Sequence, residues 1–305
     1  MRPFISSPIT HIFNKSIQKG IFPSRIKYST IIPIYKSGDK LDKSNFRPIS
    51  ILICFSKILG KIIYNRIYSH ITINNILTKD QFGFRNNLST DNASYILLHK
   101  ILTALDNKYV VGGIFCDLTT AFVCVNHKIL LSKLEFYGIR DTAGSLIPTY
   151  LSLSHQRTAI LDKINHIHLS TLKPIKHGVL QGSILGPLLF ILYINDLPMA
   201  LSSNANLALY ADDTGIIITH PNHDDYVKNV DKSFSEVSTW FSNNLLSINH
   251  NKTTYLQFRT MNSPKLDYNT LEISNYIASD SSTKFLGMII DDKLTWCDQI
   301  NQLLK

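Results

Sequence analysis

The chain has 305 residues, 44% of them hydrophobic and only 17% charged, which excludes intrinsic disorder and leaves room for one large or two modest domains with a sizeable core. The formal net charge is +9, and residues 1–66 hold all of the excess, with twelve Lys and Arg against only Asp39 and Asp42. That asymmetry is compatible with an anionic partner, nucleic acid or phosphates ahead of an acidic membrane surface, and equally with a solubilising face.

The four cysteines form no C-x-x-C pair and fit a reducing compartment, and no His/Cys cluster has zinc-ligand spacing. The N-terminus has no continuous apolar core of a signal peptide. The most apolar stretch, Ile184 to Ile194, contains Gly186 and Pro187 and is too short to cross a bilayer.

In chain order, residues 1–20 read as a helix that Phe22-Pro23 ends. Tyr28 to Tyr35 is rich in β-branched and aromatic residues and reads as a strand, with Pro33 arguing for an edge or bulge. Lys36 to Asn45 is a polar connector, and Ile51 to Ile71 and Thr90 to Asp106 have helical apolar spacing. Lys108 to Asp117 is a strand ending in an acid. Asn126 to Tyr137 is an amphipathic helix that Gly138 can stop. Gln156 to Leu161 is a short strand, and Leu185 to Leu197 is a helix with Pro187 in its first turn. Leu207 to Ala211 and Gly215 to Thr219 are apolar strands joined by Asp212-Asp213-Thr214. Tyr226 to Asn243 is helical, and Thr254 to Phe258 and Phe285 to Ile290 are strands. The order from Lys108 onward predicts an α+β fold, helices packed on a sheet.

Two adjacent carboxylates at the tip of an apolar hairpin repel each other, and a divalent cation relieves that repulsion, whereas a solvated turn needs no ligand. If the strand ending at Asp117 neighbours the hairpin, Asp117 and Asp212 can converge. An oxygen-only set suits Mg²⁺, and two such ions about 4 Å apart would activate an attacking hydroxyl and stabilise a leaving pyrophosphate.

Several blocks then occur in order: Phe115-Cys116-Asp117-Leu118-Thr119-Thr120-Ala121-Phe122, Gly178-Val179-Leu180-Gln181-Gly182-Ser183, and Tyr210-Ala211-Asp212-Asp213. Upstream stand Ile32-Pro33-Ile34-Tyr35-Lys36, Asn45-Phe46-Arg47-Pro48-Ile49-Ser50 and Gln81-Phe82-Gly83-Phe84-Arg85. Downstream stand Trp240-Phe241, Lys252-Thr253, Phe285-Leu286-Gly287 and Leu294-Thr295-Trp296. Together they resemble the reverse transcriptase of non-LTR retrotransposons of the LINE or Jockey type, over nearly the whole chain.

The resemblance implies a right-hand polymerase: fingers over 1–107, a palm of antiparallel sheet with packed helices over 108–283, and over 284–305 a primer-grip-like hairpin with the start of a truncated thumb. It implies RNA-directed DNA polymerisation, with an RNA template, a DNA primer, dNTPs, two Mg²⁺ ions (Mn²⁺ as a substitute) and no membrane. Asp117 and Asp212 would ligate the metals with Asp213 assisting, the Leu118 carbonyl lying near the nucleotide-side ion. Phe122 would be a steric gate against the 2′-hydroxyl, with a plain core phenylalanine as the other reading. Lys36 and Arg47 would grip the triphosphate; for Lys36 a solvated surface position is the alternative. Gln181 and Gly182 would open a helix and meet the nucleotide. Lys252 would protonate the pyrophosphate, although a lysine in such a turn is more often simply exposed. An upstream endonuclease and a downstream thumb belong to full-length elements, so the stretch alone is expected to have poor processivity.

Three departures stand out: Val123 where the family has Asp, Leu180 where it has Pro, and Gly60 where it has Glu. They suggest a drifting copy, and so a second reading as a catalytically impaired nucleic-acid-binding remnant. A group II intron maturase also carries Y-A-D-D, but the long spacer between Lys36 and Arg47 favours the non-LTR type. Phe122 argues against a ribonucleotide polymerase, and no convincing basic amphipathic helix supports a membrane binder.

Overall fold

The computed structural model describes residues 2–152, 154–162, 164, 166–202, 205–260 and 267–304, so Met1 and Lys305, the outer ends of the first and last predicted regions, lie outside it. In chain order its elements are α1 (Arg2–Lys19), β1 (Tyr28–Tyr35), β2 (Phe46–Leu52), α2 (Cys54–Ile73), α3 (Thr90–Asp106), β3 (Val110–Cys116), α4 (Ala121–Cys124), α5 (His127–Phe136), α6 (Asp141–Leu151), β4 (His155–Leu161), β5 (Ile167–Leu169) and β6 (Lys173–Pro174). They continue with α7 (Leu185–Tyr193), β7 (Ala205–Tyr210), β8 (Asp213–His220), α8 (His223–Asn243), β9 (Thr254–Phe258), β10 (Ala278–Ser279), β11 (Ser282–Phe285), β12 (Met288–Asp291) and α9 (Cys297–Leu303). The chain divides into two compact units, each built from two stretches of sequence: Met1–Leu77 with Phe122–Tyr193, and Thr78–Ala121 with Ile194–Lys305.

In the first unit the strands run β2-β1-β4-β5, with β6 also on β4. β1 pairs with β2 antiparallel over its length but with β4, in parallel, only over Tyr28–Ile31. Pro33 and Pro48 face each other in the outer half of the ladder, beyond the reach of β4, which is where missing N–H groups cost least. Pro48 is also why β2 escapes the sequence reading, and Ile51 and Leu52, expected at the start of a helix, end this strand instead. α6 escapes it as well, because Gly144 and Pro148 blur its period. Asn126 caps α5 by accepting from the Lys128 and Ile129 N–H groups, and Gly138 follows the helix at φ +81°. α7 is buried on every side, as its continuous apolar run predicts, and ends at Tyr193 rather than Leu197. Gly60 sits mid-helix in α2, where glycine costs about 1 kcal/mol relative to alanine. One of the twelve basic residues of the N-terminal stretch is structural. Lys27 is buried, and its ammonium donates to the Thr149 and Ser152 carbonyls at the end of α6.

In the second unit, among the described residues, a five-stranded sheet runs β10-β9-β3-β8-β7. It is antiparallel, as expected, apart from the two-residue β9–β10 pair, and in the first unit the β1–β4 pair is parallel. β3 is its spine, and both faces of β3 are covered. Val111 and Phe115 join the α3 core with Leu97 and Ile101, while Gly112 on the opposite face lies against Tyr226 of α8. Burial on both sides explains why β3 reads as an unbroken apolar run instead of alternating. The expected strand from Phe285 to Ile290 is a hairpin: Leu286 and Gly287 both have positive φ, the geometry of a tight two-residue turn between β11 and β12. No helix among the described residues is long and apolar enough to cross a membrane.

Candidate active site

The β7–β8 hairpin closes with the pair Tyr210 and Asp213, so its loop is Ala211-Asp212. Asp213 and Thr214, expected in the connection, are therefore the first residues of β8. Only Asp212 sits at the tip. Ala211 takes φ +55°, a left-handed conformation that costs a side-chain-bearing residue free energy and persists only where the surroundings enforce it.

β3 neighbours β8, with Cys116 opposite Thr214. Asp117 follows directly on that last registered pair, at the end of β3. The backbone of Asp117 is held from both sides: its N–H donates to Thr253 Oγ1 at 3.2 Å and its carbonyl accepts from the Asn249 N–H at 2.8 Å. Leu118 forms a bridge with Ile248, and the Thr119 N–H donates to the Ser247 carbonyl. The 247–253 segment thus clamps the strand end that presents the carboxylate. Thr253, fully buried, is the supporting residue whose role sequence reasoning did not assign, although it stands inside the N-K-T block.

Asp117 and Asp213 line an open cavity of about 210 Å³ together with Phe115, Cys116, Thr214, Lys252, Thr283, Lys284 and Phe285. The Lys252 ammonium lies 4.0 Å from Asp117 Oδ2, with the carboxylate 39% and the lysine 62% exposed, a solvent-screened pair of small energetic weight. The β11–β12 hairpin borders the cavity. Its Thr283 hydroxyl bonds the Thr254 hydroxyl at 3.0 Å, and Phe285 packs on Phe115 at 5.5 Å between ring centres. Burial, with the Asp117 charge beside it, pushes the Cys116 thiol up to about 12, which keeps it protonated.

The donors facing this cavity are carboxylate oxygens without accessible thiolate or imidazole, which suits a hard divalent cation that keeps water or phosphate in its other positions. Among the described residues no group of three or more His, Cys, Asp or Glu is gathered into a metal-holding cluster.

The remaining site candidates belong to the first unit. Arg47 lies opposite Ile34, and Lys36 follows Ile34 by two residues, with its N–H donating to the Asn45 carbonyl at 2.8 Å. Both cations therefore share one face of the β1–β2 ladder, both exposed. Phe122 stacks on Phe190 at 4.4 Å and is half-buried. Gln181 and Gly182 lie in the turn ahead of α7, not in its first turn. The Gln181 carbonyl accepts from the Ser50 N–H at 2.7 Å. Gly182 has φ +103°, and a Cβ there would lie 2.6 Å from the Ser50 carbonyl oxygen, so only glycine fits. Val123 is exposed, and the Gly178 backbone lies against its own; the Leu180 carbonyl accepts from the Ser183 N–H.

The family model for reverse transcriptase (RNA-dependent DNA polymerase) matches residues 34–290. The chain is 29% identical to the RNA-directed DNA polymerase from mobile element jockey of Drosophila melanogaster, an alignment covering 96% of this chain and 32% of that protein. It is also 29% identical to the probable RNA-directed DNA polymerase from transposon BS of the same fly, over 93% of this chain and 32% of the relative. The chain thus spans about a third of the length of these relatives. Among solved structures, apo telomerase of Candida tropicalis truncated from its C-terminal domain superposes with a TM-score of 0.58 at 14% identity, covering 90% of this chain and 55% of that one, which bears on fold alone.

Proposed function

This chain belongs to the reverse transcriptase family, and from that premise we propose that it is the polymerase part of a non-LTR-type RNA-directed DNA polymerase, extending a DNA primer with dNTPs on an RNA template. Enzymes of this family generally use divalent metal ions. The observation that carries the reading is one open cavity lined both by Asp117, which follows β3, and by Asp213, which opens β8 directly after Asp212.

In this reading residues 1–107 act as fingers, 108–283 as palm, and 284–305 as a primer-grip-like hairpin leading toward a thumb. Asp117 and Asp212 would hold two Mg²⁺ ions, with Asp213 and the Leu118 carbonyl assisting. Such ions would supply Lewis-acid activation of the primer 3′-hydroxyl toward the α-phosphate and charge neutralisation on the pyrophosphate. Lys252 would give a proton to the departing pyrophosphate, a role supported by its exposed ammonium 4.0 Å from Asp117. Lys36 and Arg47 hold the triphosphate, Arg as a planar fork and Lys as a point charge. Phe122, braced by Phe190, crowds the sugar 2′ position, and Gln181 meets the nucleotide from a turn fixed to β2.

The test is primer extension on an RNA template with Mg²⁺ and dNTPs, using protein that carries this chain. Incorporation in the wild type and none in Asp212→Ala is the expected pattern; incorporation that survives Asp212→Ala removes the metal assignment. A nucleic-acid-binding remnant would bind the template–primer and incorporate nothing.

Arg47→Gln is expected to raise KM for dNTP by about 10–100-fold, the value of a charge-assisted hydrogen bond, with a smaller change in kcat. Because the side chain is exposed, the thermal midpoint should not move. Steady-state kinetics with varied dNTP check both halves, and an unchanged KM would remove Arg47 from the triphosphate site.

A further inference from the structure

Gln81 is fully buried, and its side-chain oxygen accepts two backbone hydrogen bonds, from the Gly83 N–H at 2.7 Å and from the Ala211 N–H at 3.1 Å. The second bond reaches across 130 residues to the first loop position of the β7–β8 hairpin, immediately before Asp212.

Three further contacts press the same segment onto that turn. The Phe82 N–H donates to the Leu209 carbonyl and the Leu209 N–H to the Asp80 carbonyl, both at 2.8 Å, so residues 80–82 form a short parallel extension beside β7. Arg85 Nη1 donates to the Thr78 and Gln81 carbonyls at 2.8 and 3.0 Å and closes the loop upon itself. A Cβ on Gly83 would lie 2.4 Å from the Ala211 nitrogen and 2.9 Å from the Tyr210 carbonyl carbon, so the two backbones touch.

The chemistry of the side chain says which of its atoms matters. The Gln81 Nε2 group is buried with no hydrogen-bond partner among the described residues. A buried donor left unmade is costly, and a methionine of similar volume would fill the space without that penalty. What glutamine supplies and methionine cannot is the acceptor oxygen. Its target is the N–H of a non-glycine residue held at φ +55°, a conformation that needs outside enforcement.

We propose that Gln81 is a positioning residue of the polymerase: its carboxamide oxygen locks Ala211 in the left-handed conformation and thereby sets the direction in which Asp212 is presented. The hydrogen bond lies outside the strand ladder, on the side of the turn that the β7–β8 pairing leaves undetermined. The kinetic consequence rests on the polymerase reading above; the lock on Ala211 does not.

Gln81→Met tests it with two readouts. Amide hydrogen exchange at Ala211 and Gly83 should accelerate about five- to tenfold, the worth of one hydrogen bond, while amides in α3 and α8 keep their wild-type rates. In primer extension kcat should fall roughly 10–100-fold, the effect of a slight misplacement of a reacting group, with KM for dNTP unchanged. Ile101→Val, a core change in α3, is the comparison for general destabilisation and should leave kcat near the wild-type value. Exchange at Ala211 that does not change in Gln81→Met overturns the proposal. So does a loss of kcat no larger than that of Ile101→Val. If the wild-type protein incorporates no nucleotide, the polymerase reading fails, and the exchange measurement still decides the lock.

Discussion

Asp117→Asn is expected to lower nucleotide incorporation on the order of 10³-fold, because it removes one charged ligand and several kcal/mol of transition-state stabilisation with it. The fold should not notice. The Asp117 backbone is held by Thr253 and Asn249 independently of its side chain, and the carboxylate is 39% exposed in a screened pair with Lys252. Neutralising it also removes a like charge from the cavity that Asp213 lines, so the thermal midpoint should stay within the shift of about 0.5 kcal/mol typical of surface substitutions, or rise slightly. Single-turnover primer extension beside thermal unfolding separates the two effects. A variant that retains more than about a tenth of wild-type incorporation would remove Asp117 from the metal site.

Gly112→Ala should have the largest effect on stability, a loss of at least about 3 kcal/mol. A Cβ at Gly112 would lie 1.9 Å from the Tyr226 hydroxyl oxygen and 3.0 Å from the Tyr255 ring and hydroxyl. Neither tyrosine can retreat. Both are enclosed, their hydroxyls bond each other at 2.7 Å, and burial pushes both well above the ordinary tyrosine value, so they stay neutral. Strand β3 would have to move instead, and Asp117 at its end would move with it. Adding Tyr226→Phe removes the clashing oxygen and should recover part of the loss. Thermal denaturation of the single and double variants checks this; a single variant within 0.5 kcal/mol of wild type would mean that α8 does not pack on β3 as described.

Much of the site was legible before any coordinates. The apolar strand ending at Asp117 and the apolar hairpin around Asp212 are local patterns, since a strand buried on both faces has to be continuously hydrophobic. The ordered blocks from Ile32 to Trp296 identified the family. Other elements were hidden by their own composition. β2 carries Pro48, which is tolerated only because its partner position in β1 lies beyond β4, a fact about pairing that no local window contains. The Phe285–Ile290 run reads as one strand because Leu286 takes a positive φ that its side chain does not advertise.

By itself the sequence nominated candidate residues for the chemistry, because carboxylates, cations and glycines are distinguished by functional groups and their spacing. Tertiary structure alone decided how those residues are held. The pairing of β3 with β8 brings Asp117 and Asp213 to one cavity, the 247–253 segment fixes the Asp117 backbone, and Gln81 reaches across 130 residues to the turn before Asp212. These contacts join residues far apart in the chain, and a contact of that separation leaves little trace in composition or period. They arise only when the sheet has closed and each buried N–H has had to find its acceptor.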